Sequence, residues 1–258
     1  MHMIFKQHYG EPFKGWIVLV HGLGEHSGRY KELIQELNNA GFAVYAFDWP
    51  GHGKSGGKRG HATIEQAIDI INKIIDEIGD KPIIFGHSLG GLTVIRYAEL
   101  YSDKIRGVIA SSPALALSPN TPRALVILAK ILGIIIPTLT LSNGINPKLL
   151  SRNKEAVRKY IEDPLVHDRI STALGRSLFI NMQKAHEEAE KIKVPILLLV
   201  GTSDYITPPE GARRLFNNLK VEDKKLIEYE GAYHEIFEDP EWKEKLFKDI
   251  VEWTLSHV

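Results

Sequence analysis

A serine becomes a nucleophile when a turn presents its hydroxyl and a histidine, oriented by a carboxylate, can take its proton. Two serines in this 258-residue chain sit in the G-x-S-x-G pattern of such a turn. Ser55 lies in Gly53-Lys54-Ser55-Gly56-Gly57 and Ser88 in Gly86-His87-Ser88-Leu89-Gly90. Gly53-Lys54-Ser55 also looks like the tail of a phosphate-binding loop. That reading fails because such a loop needs a glycine five residues before the Gly-Lys-Ser, where its N–H groups wrap the phosphates, and the position holds Asp48.

The elbow pattern demands more than its letters: a buried strand must lead in and a helix must lead out. Around Ser88, PIIF leads in and LGGLTVIRYAELY leads out. After Ser55 comes Gly-Gly-Lys-Arg-Gly, which starts no helix, and GHGKSGG reads as a tight surface turn. Ser88 is therefore the expected nucleophile. The acid should follow a late strand and the histidine the last one, in that chain order. Asp204 in VPILLLVGTSDYITPP and His234 in KLIEYEGAYHEIF meet those conditions. The plain alternatives are a helix-capping aspartate and a surface-loop histidine. His87 adjoins the elbow with its ring directed away from the serine hydroxyl, and His186 lies in the polar run HEEAEK; His21, His26, His52 and His61 precede the nucleophile and are candidates to line its pocket. The tetrahedral intermediate of acyl transfer needs backbone N–H donors. One is expected from Leu89 at the helix N-terminus, the other from Leu23 in HGLGEHSGRY, set by Gly22 and Gly24.

These residues need a scaffold. Apolar runs at Trp16–Val20, Phe42–Phe47, Pro82–Phe85, Val108–Ala110, Val194–Val200 and Leu226–Tyr229 suit strands buried on both faces of a parallel sheet. Between them lie amphipathic stretches. In Thr63–Ile78, Ile64, Ala67, Ile68, Ile71, Ile74, Ile75 and Ile78 follow helical spacing, with Thr63 as N-cap and Gly79 at the end. Alternating β and α implies an α/β fold with a mostly parallel, doubly wound sheet. Between Ser112 and Lys193 stand about 80 residues, where a crossover needs far fewer. This insertion, helical in pattern and punctuated by prolines from Pro119 to Pro164, is expected to cap the C-terminal edge of the sheet. The expected organisation is a core of residues 1–112 and 193–258 with a cap of residues 113–192; a purely structural subdomain is the alternative.

Composition narrows the classes. The chain is 43% hydrophobic and carries 32 basic and 32 acidic residues, which argues against a nucleic-acid binder. It has no cysteine, which removes disulfides, thiol catalysis and thiolate metal sites and fits a reducing compartment. No metal or cofactor is expected. The N-terminal MHMIFKQHYGEPF has no secretory pattern. A cytoplasmic protein with peripheral membrane contact is the expectation.

HGLGEHSGRY, FDWPGHGKSGG, GHSLGG, GTSD and YEGAYHE, with SRNKEAVRKYIEDPLV in the cap, resemble the monoacylglycerol lipases of the α/β-hydrolase superfamily over nearly the whole chain. The resemblance implies an α/β-hydrolase fold and release of one fatty-acyl chain from glycerol by Ser88, Asp204 and His234. It also makes Glu25 and Arg29 candidates for ordering the glycerol head, against the alternative of a local Glu–Arg pair. The family's mammalian members carry cysteines near the site; here there are none.

The cap speaks for a lipid ester by itself. Residues 124–136, ALVILAKILGIII, are 13 residues broken only by Lys130, too short to span a bilayer. They read as an apolar lid that lines an acyl path and rests on membrane, or else as a buried helix. A lysophospholipase or broad carboxylesterase shares every catalytic part. A peptidase fits the apolar cap less well, and an idle lipid-binding module would need no triad.

Overall fold

Five of the six apolar runs become strands with no residue facing water fully, and they stack in parallel. The structure, a computed structural model, describes residues 2–118 and 121–258; Pro119 of the expected insertion lies outside them. The chain runs β1 (Lys6–Tyr9), β2 (Gly15–Val20), α1 (Lys31–Asn39), β3 (Phe42–Phe47), α2 (Ile64–Ile78), β4 (Ile83–His87), α3 (Leu89–Tyr101) and β5 (Gly107–Ser111). It continues through α4 (Arg123–Ile135), β6 (Thr140–Ser142), α5 (Lys154–Glu162), β7 (Arg169–Ser171), α6 (Thr172–Glu187), β8 (Ile196–Gly201), α7 (Glu210–Asn218), β9 (Lys224–Tyr229) and α8 (Lys243–Leu255).

The main sheet has the order β1-β3-β2-β4-β5-β8-β9. Every pairing in it is parallel except that of β1, whose Lys6 lies opposite Phe47 of β3. Period-two alternation splits each strand between two cores. Val18 and Val20 join Ile84, Val108 and Leu198 under α2, α3, α6 and α7. Ile17 and Leu19 join Val44, Phe85 and Leu199 under α1 and α8. Each such side chain contributes about 1.5–3 kcal/mol by leaving water. The polar edge strand β1 was not expected, because KQHY has no apolar face to announce it.

Helix α2 forms as its spacing predicts. Thr63 Oγ1 accepts from the Gln66 N–H while the Gln66 side chain accepts from the Thr63 N–H, and Gly79 ends the helix at φ 69°. A reciprocal cap of this kind contributes about 1 kcal/mol, and the left-handed turn favours glycine.

After β5 the chain leaves the sheet and returns at β8. In between, β6 and β7 pair antiparallel, Thr140 opposite Ser171. These two short strands were not expected in a stretch of helical pattern, and their pairing is imposed by the surrounding fold. Helix α6 is anchored in the core: Leu174, Met182 and Ala185 join the first core cluster. Ser177 Oγ accepts from the Ile64 N–H (3.0 Å) and donates to Glu65 (2.8 Å), and the Asn181 amide donates to Glu65 (2.8 Å). Arg96 of α3 donates to Asn181 (3.1 Å) and Glu188 (2.8 Å) and also binds Glu99. Helix α4 lies on α6, close enough that a Cβ on Gly133 would meet the Thr172 carbonyl at 2.6 Å. None of its residues is buried, and Ile127, Ile134 and Ile135 are 60–67% exposed. The alternative of a buried core helix is thereby removed.

Candidate active site

Ser88 occupies the single residue between β4 and α3, at φ 56° and ψ −115°. A side chain in that region costs on the order of 1–3 kcal/mol, a strain that recurs at functional sites. The flanking glycines are sterically required. A Cβ on Gly86 would meet the Gly90 carbonyl oxygen at 2.2 Å, and one on Gly90 would meet that of Val20 at 2.1 Å. The Ser88 N–H donates to the Ser111 carbonyl (2.9 Å), and the Ala114 N–H donates to the Ser88 carbonyl (3.0 Å). The elbow is thus tied to the end of β5.

Asp204 follows β8 and His234 follows β9, as the chain order predicts. The His234 Nδ1–H donates to Asp204 Oδ2 at 2.7 Å, and both side chains are buried. With Nδ1 so engaged, Nε2 is the nitrogen left to take a proton. The other Asp204 oxygen accepts from the Ile206 and Thr207 N–H groups at 2.8 and 2.9 Å. Burial favours neutral imidazole, but the Asp204 carboxylate and its hydrogen bond outweigh it and raise the His234 pKa. Burial likewise works against the Asp204 charge, and His234 with the Thr207 donors reverses that to lower its pKa. Ser88 Oγ makes no hydrogen bond within the chain among the described residues. Such bonds are often long before substrate binds.

Two residues that the sequence did not single out hold this arrangement. Thr207 Oγ1 lies 2.8 Å from Asp204 Oδ2 and 3.0 Å from the Ser112 carbonyl. Ser112, at φ 43°, donates from its hydroxyl to the His234 carbonyl at 2.7 Å. The D-x-x-T spacing after a strand is the only local signal for either, since it suits a side-chain-capped turn. His87 is buried with its ring 4.8 Å from that of His234; burial first, then the neighbouring histidine, pushes its pKa down to about 3. It stays neutral.

The loop after β2 comes up to the elbow. A Cβ on Gly22 would lie 3.2 Å from Ser88 Cβ, and the Gly22 N–H donates to Glu25 Oε1 at 2.7 Å. Gly24 turns at φ 76° and accepts from the N–H of His167 in the cap at 2.9 Å. No acceptor of the chain takes the Leu23 or Leu89 N–H among the described residues. Leu89 directly follows Ser88, and Leu23 directly follows Gly22, whose added Cβ would approach Ser88.

Glu25 and Arg29 pair with each other. Glu25 is buried, and 8% of the Arg29 side chain is exposed. Glu25 accepts from Gly22, Tyr30 and Arg29, while Arg29 also reaches Glu235 with both terminal nitrogens, at 2.7 and 2.8 Å. Their polar atoms are engaged as a local Glu–Arg pair extended to Glu235. Burial works against the Glu25 charge, yet Arg29, His87 and His21 hold its pKa down to about 2.

In the expected surface turn Ser55 itself is buried, while Lys54 and Gly57 face water. Ser55 Oγ donates to the Asp48 carbonyl (2.6 Å) and accepts from the Phe5 N–H (2.9 Å). The GHGKSGG turn wraps Asp48, whose carboxylate accepts from Ser27 and from the Lys54 N–H. Of the other histidines, His21 accepts from the Trp49 N–H, His26 pairs with Asp163 and His186 bonds to the Leu115 carbonyl. A cleft of about 530 Å³ beyond His26, bordered by Lys31, Lys54 and Lys159, contains no member of the triad.

Strand order, the strained elbow and the Asp–His pair at the sheet's C-terminal edge define a serine hydrolase of the α/β-hydrolase fold. The chain belongs to the serine aminopeptidase S33 family, Hydrolase_4, which matches residues 11–241. It is 34% identical over 252 residues to a monoacylglycerol lipase of Mycolicibacterium smegmatis, covering 95% of this chain and 89% of that one. It is 33% identical over 248 residues to Phospholipase YtpA of Bacillus subtilis, covering 94% and 95%. The crystal structure of a monoacylglycerol lipase from Paleococcus ferrophilus is 67% identical and superposes with a TM-score of 0.98 over 99% of this chain and 100% of that one. The resemblance read from HGLGEHSGRY and GHSLGG is borne out. Among the described residues no helix is long and apolar enough to cross a membrane.

Proposed function

We propose that the protein hydrolyses monoacylglycerols through an acyl-enzyme formed on Ser88. Ser88 Oγ attacks the ester carbonyl while His234 Nε2 takes its proton. The N–H groups of Leu23 and Leu89 hold the oxyanion. His234 then returns the proton to the glycerol oxygen, which leaves, and a water molecule repeats the sequence to release the fatty acid. The observation that carries this reading is the buried Asp204–His234 pair, with the His234 ring 4.8 Å from that of His87 on the Ser88 elbow. The 67% identity to a monoacylglycerol lipase supports the substrate class. A second reading, hydrolysis of a lysophospholipid, is favoured by the likeness to Phospholipase YtpA and differs only at the head group. Turnover of a panel of monoacylglycerols, lysophospholipids and aryl esters decides between them. The first reading expects the highest kcat/KM on monoacylglycerols, and a preference for choline- or ethanolamine-headed lipids overturns it.

Residues 113–192 act as the lid, with α4 meeting the lipid surface. Its exposed Leu125, Ile127, Leu128, Ile131, Ile134 and Ile135 face water in the isolated protein, and burying one such side chain contributes about 1.5–3 kcal/mol. Replacing Ile131 and Ile135 by serine is expected to reduce co-sedimentation with vesicles roughly tenfold or more. Long-chain monoacylglycerol turnover should fall more than that of a short aryl ester, which reports folding and chemistry. Equal slowing of both substrates with a lower melting temperature identifies the pair as a packing element instead.

A further inference from the structure

The oxyanion loop and the histidine loop come from opposite ends of the chain, yet one guanidinium joins them. Arg29 Nη1 donates to Glu25 Oε2 at 2.7 Å and to Glu235 Oε1 at 2.7 Å, and Nη2 donates to Glu235 Oε2 at 2.8 Å. Glu25 in turn accepts the Gly22 N–H, one residue before the expected oxyanion donor Leu23. Glu235 directly follows His234, and its own N–H donates to the Leu150 carbonyl of the cap at 2.7 Å. The guanidinium carbon lies 4.7 Å from the Tyr160 ring centre and 5.6 Å from that of Phe237. Only 8% of the Arg29 side chain is exposed, against 3% and 4% for Glu25 and Glu235.

We propose that Glu25, Arg29 and Glu235 form a positioning clamp that fixes the oxyanion donor and the general base relative to each other at Ser88. The clamp rests on the reading of Ser88, His234 and Leu23 given above. Three features point the same way. Two carboxylates and one guanidinium are kept out of water, an arrangement that is costly unless every charge is hydrogen-bonded in good geometry, as these are. The bidentate fork on Glu235 fixes direction as well as distance, which a lysine in the same place cannot do. The Gly22 N–H held on Glu25 Oε1 fixes the His21–Gly22 peptide, and the next peptide, which carries the Leu23 N–H, is held at its Gly22 carbonyl by His21 Nδ1 at 2.7 Å. An oxyanion donor works only if it is aimed before the charge develops.

The clamp has an electrostatic signature besides its geometric one. Facing His234 are Asp204 on the β8 side, His87 on the elbow, Glu235 on its own loop and the Glu25–Arg29 pair behind the oxyanion loop. Two carboxylates against one guanidinium leave a net negative charge near the imidazole, and both Glu235 and Glu25 favour its protonated form. Neutralising Glu235 therefore moves the half-maximal pH of kcat/KM downward. A role confined to packing leaves that midpoint in place.

The test uses the full chain with a soluble aryl ester. Glu25→Ala is expected to lower kcat by ~10- to 100-fold, approaching the ~10²–10³ loss of a whole oxyanion donor, with KM within about twofold. Glu25→Gln keeps an acceptor for the Gly22 N–H and is expected to recover much of the loss. Glu235→Gln is expected to lower kcat less and to shift the pH midpoint down. Arg29→Lys keeps the charge without the fork and is expected to lower kcat at unchanged KM. The two glutamine substitutions are nearly isosteric and serve if the alanine variant does not fold. Folded variants with wild-type kcat overturn the clamp, as does an unmoved midpoint in Glu235→Gln. Equal losses in kcat, KM and melting temperature with no recovery by glutamine overturn it as well. Failure of the underlying mechanism reads differently: the wild-type protein itself then resists fluorophosphonate labelling at Ser88.

Discussion

Ser88→Ala abolishes ester hydrolysis, with an expected loss on the order of 10⁶ in kcat, as large as the removal of a triad nucleophile causes elsewhere. The hydroxyl has no substitute nearby: His87 is neutral and buried, and the chain has no cysteine. Folding should survive, because Ser88 Oγ bonds to nothing among the described residues and the strained backbone already accommodates a Cβ. Ser55→Ala is the matched control. It should keep nearly full kcat while losing stability, because the Ser55 hydroxyl's bonds to the part-buried Phe5 N–H and the Asp48 carbonyl are lost, at about 0.5–1.5 kcal/mol each. Initial rates on an aryl ester together with melting temperatures check both. Substantial activity in Ser88→Ala, or none in folded Ser55→Ala, refutes the assignment of the nucleophile.

Asp204→Asn should leave the fold in place and lower kcat by about 10⁴, through the wrong imidazole tautomer. The asparagine carbonyl can still accept from the Ile206 and Thr207 N–H groups that Asp204 Oδ1 binds. Its amide then faces His234 Nδ1 as a donor, so Nδ1 must accept and Nε2 must carry the proton. A protonated Nε2 cannot take one from serine. The wild-type pH profile follows from the same pair. Only neutral His234 is active, so kcat/KM rises with pH. Its midpoint lies above the ordinary histidine value near 6.5, because the pKa of His234 is raised overall by Asp204 despite burial. In Asp204→Asn the residual activity should have its midpoint at lower pH. A flat wild-type profile with chemistry rate-limiting, or an Asn variant near full activity, rules out His234 as the base.

What was legible in the sequence was whatever local physics determines. The isoleucine spacing and the Thr63/Gln66 cap specify α2 within a few residues. The elbow glycines are required by contacts with neighbours in the chain and with β2. Ser112 and Thr207 escaped notice because their bonds span 122 and 95 residues of sequence, and only the assembled sheet brings the partners together. Strand β1 escaped because an edge strand with exposed KQHY needs no apolar pattern. Glu25 and Arg29 were found, but not their use. Their partner Glu235, at the end of YEGAYHE, stands 206 residues from Arg29, so nothing local connects them. Ser55 was rejected correctly as an elbow and misjudged in exposure, since Asp48 gives its turn a buried purpose.

Helix α6 has a mechanical consequence. Ser177 and Asn181 rivet it to α2, and Arg96 rivets it to α3, the helix that begins at the nucleophile. The insertion therefore cannot swing away from the sheet as one hinged cover. Helix α4, lying on α6 with no buried residue of its own, shares none of these ties to α2 or α3. In the lid role proposed above, movement would be confined to α4 while α6 holds the frame. Selectivity for one-chain lipids would then be set by that frame, without any contact to the head group.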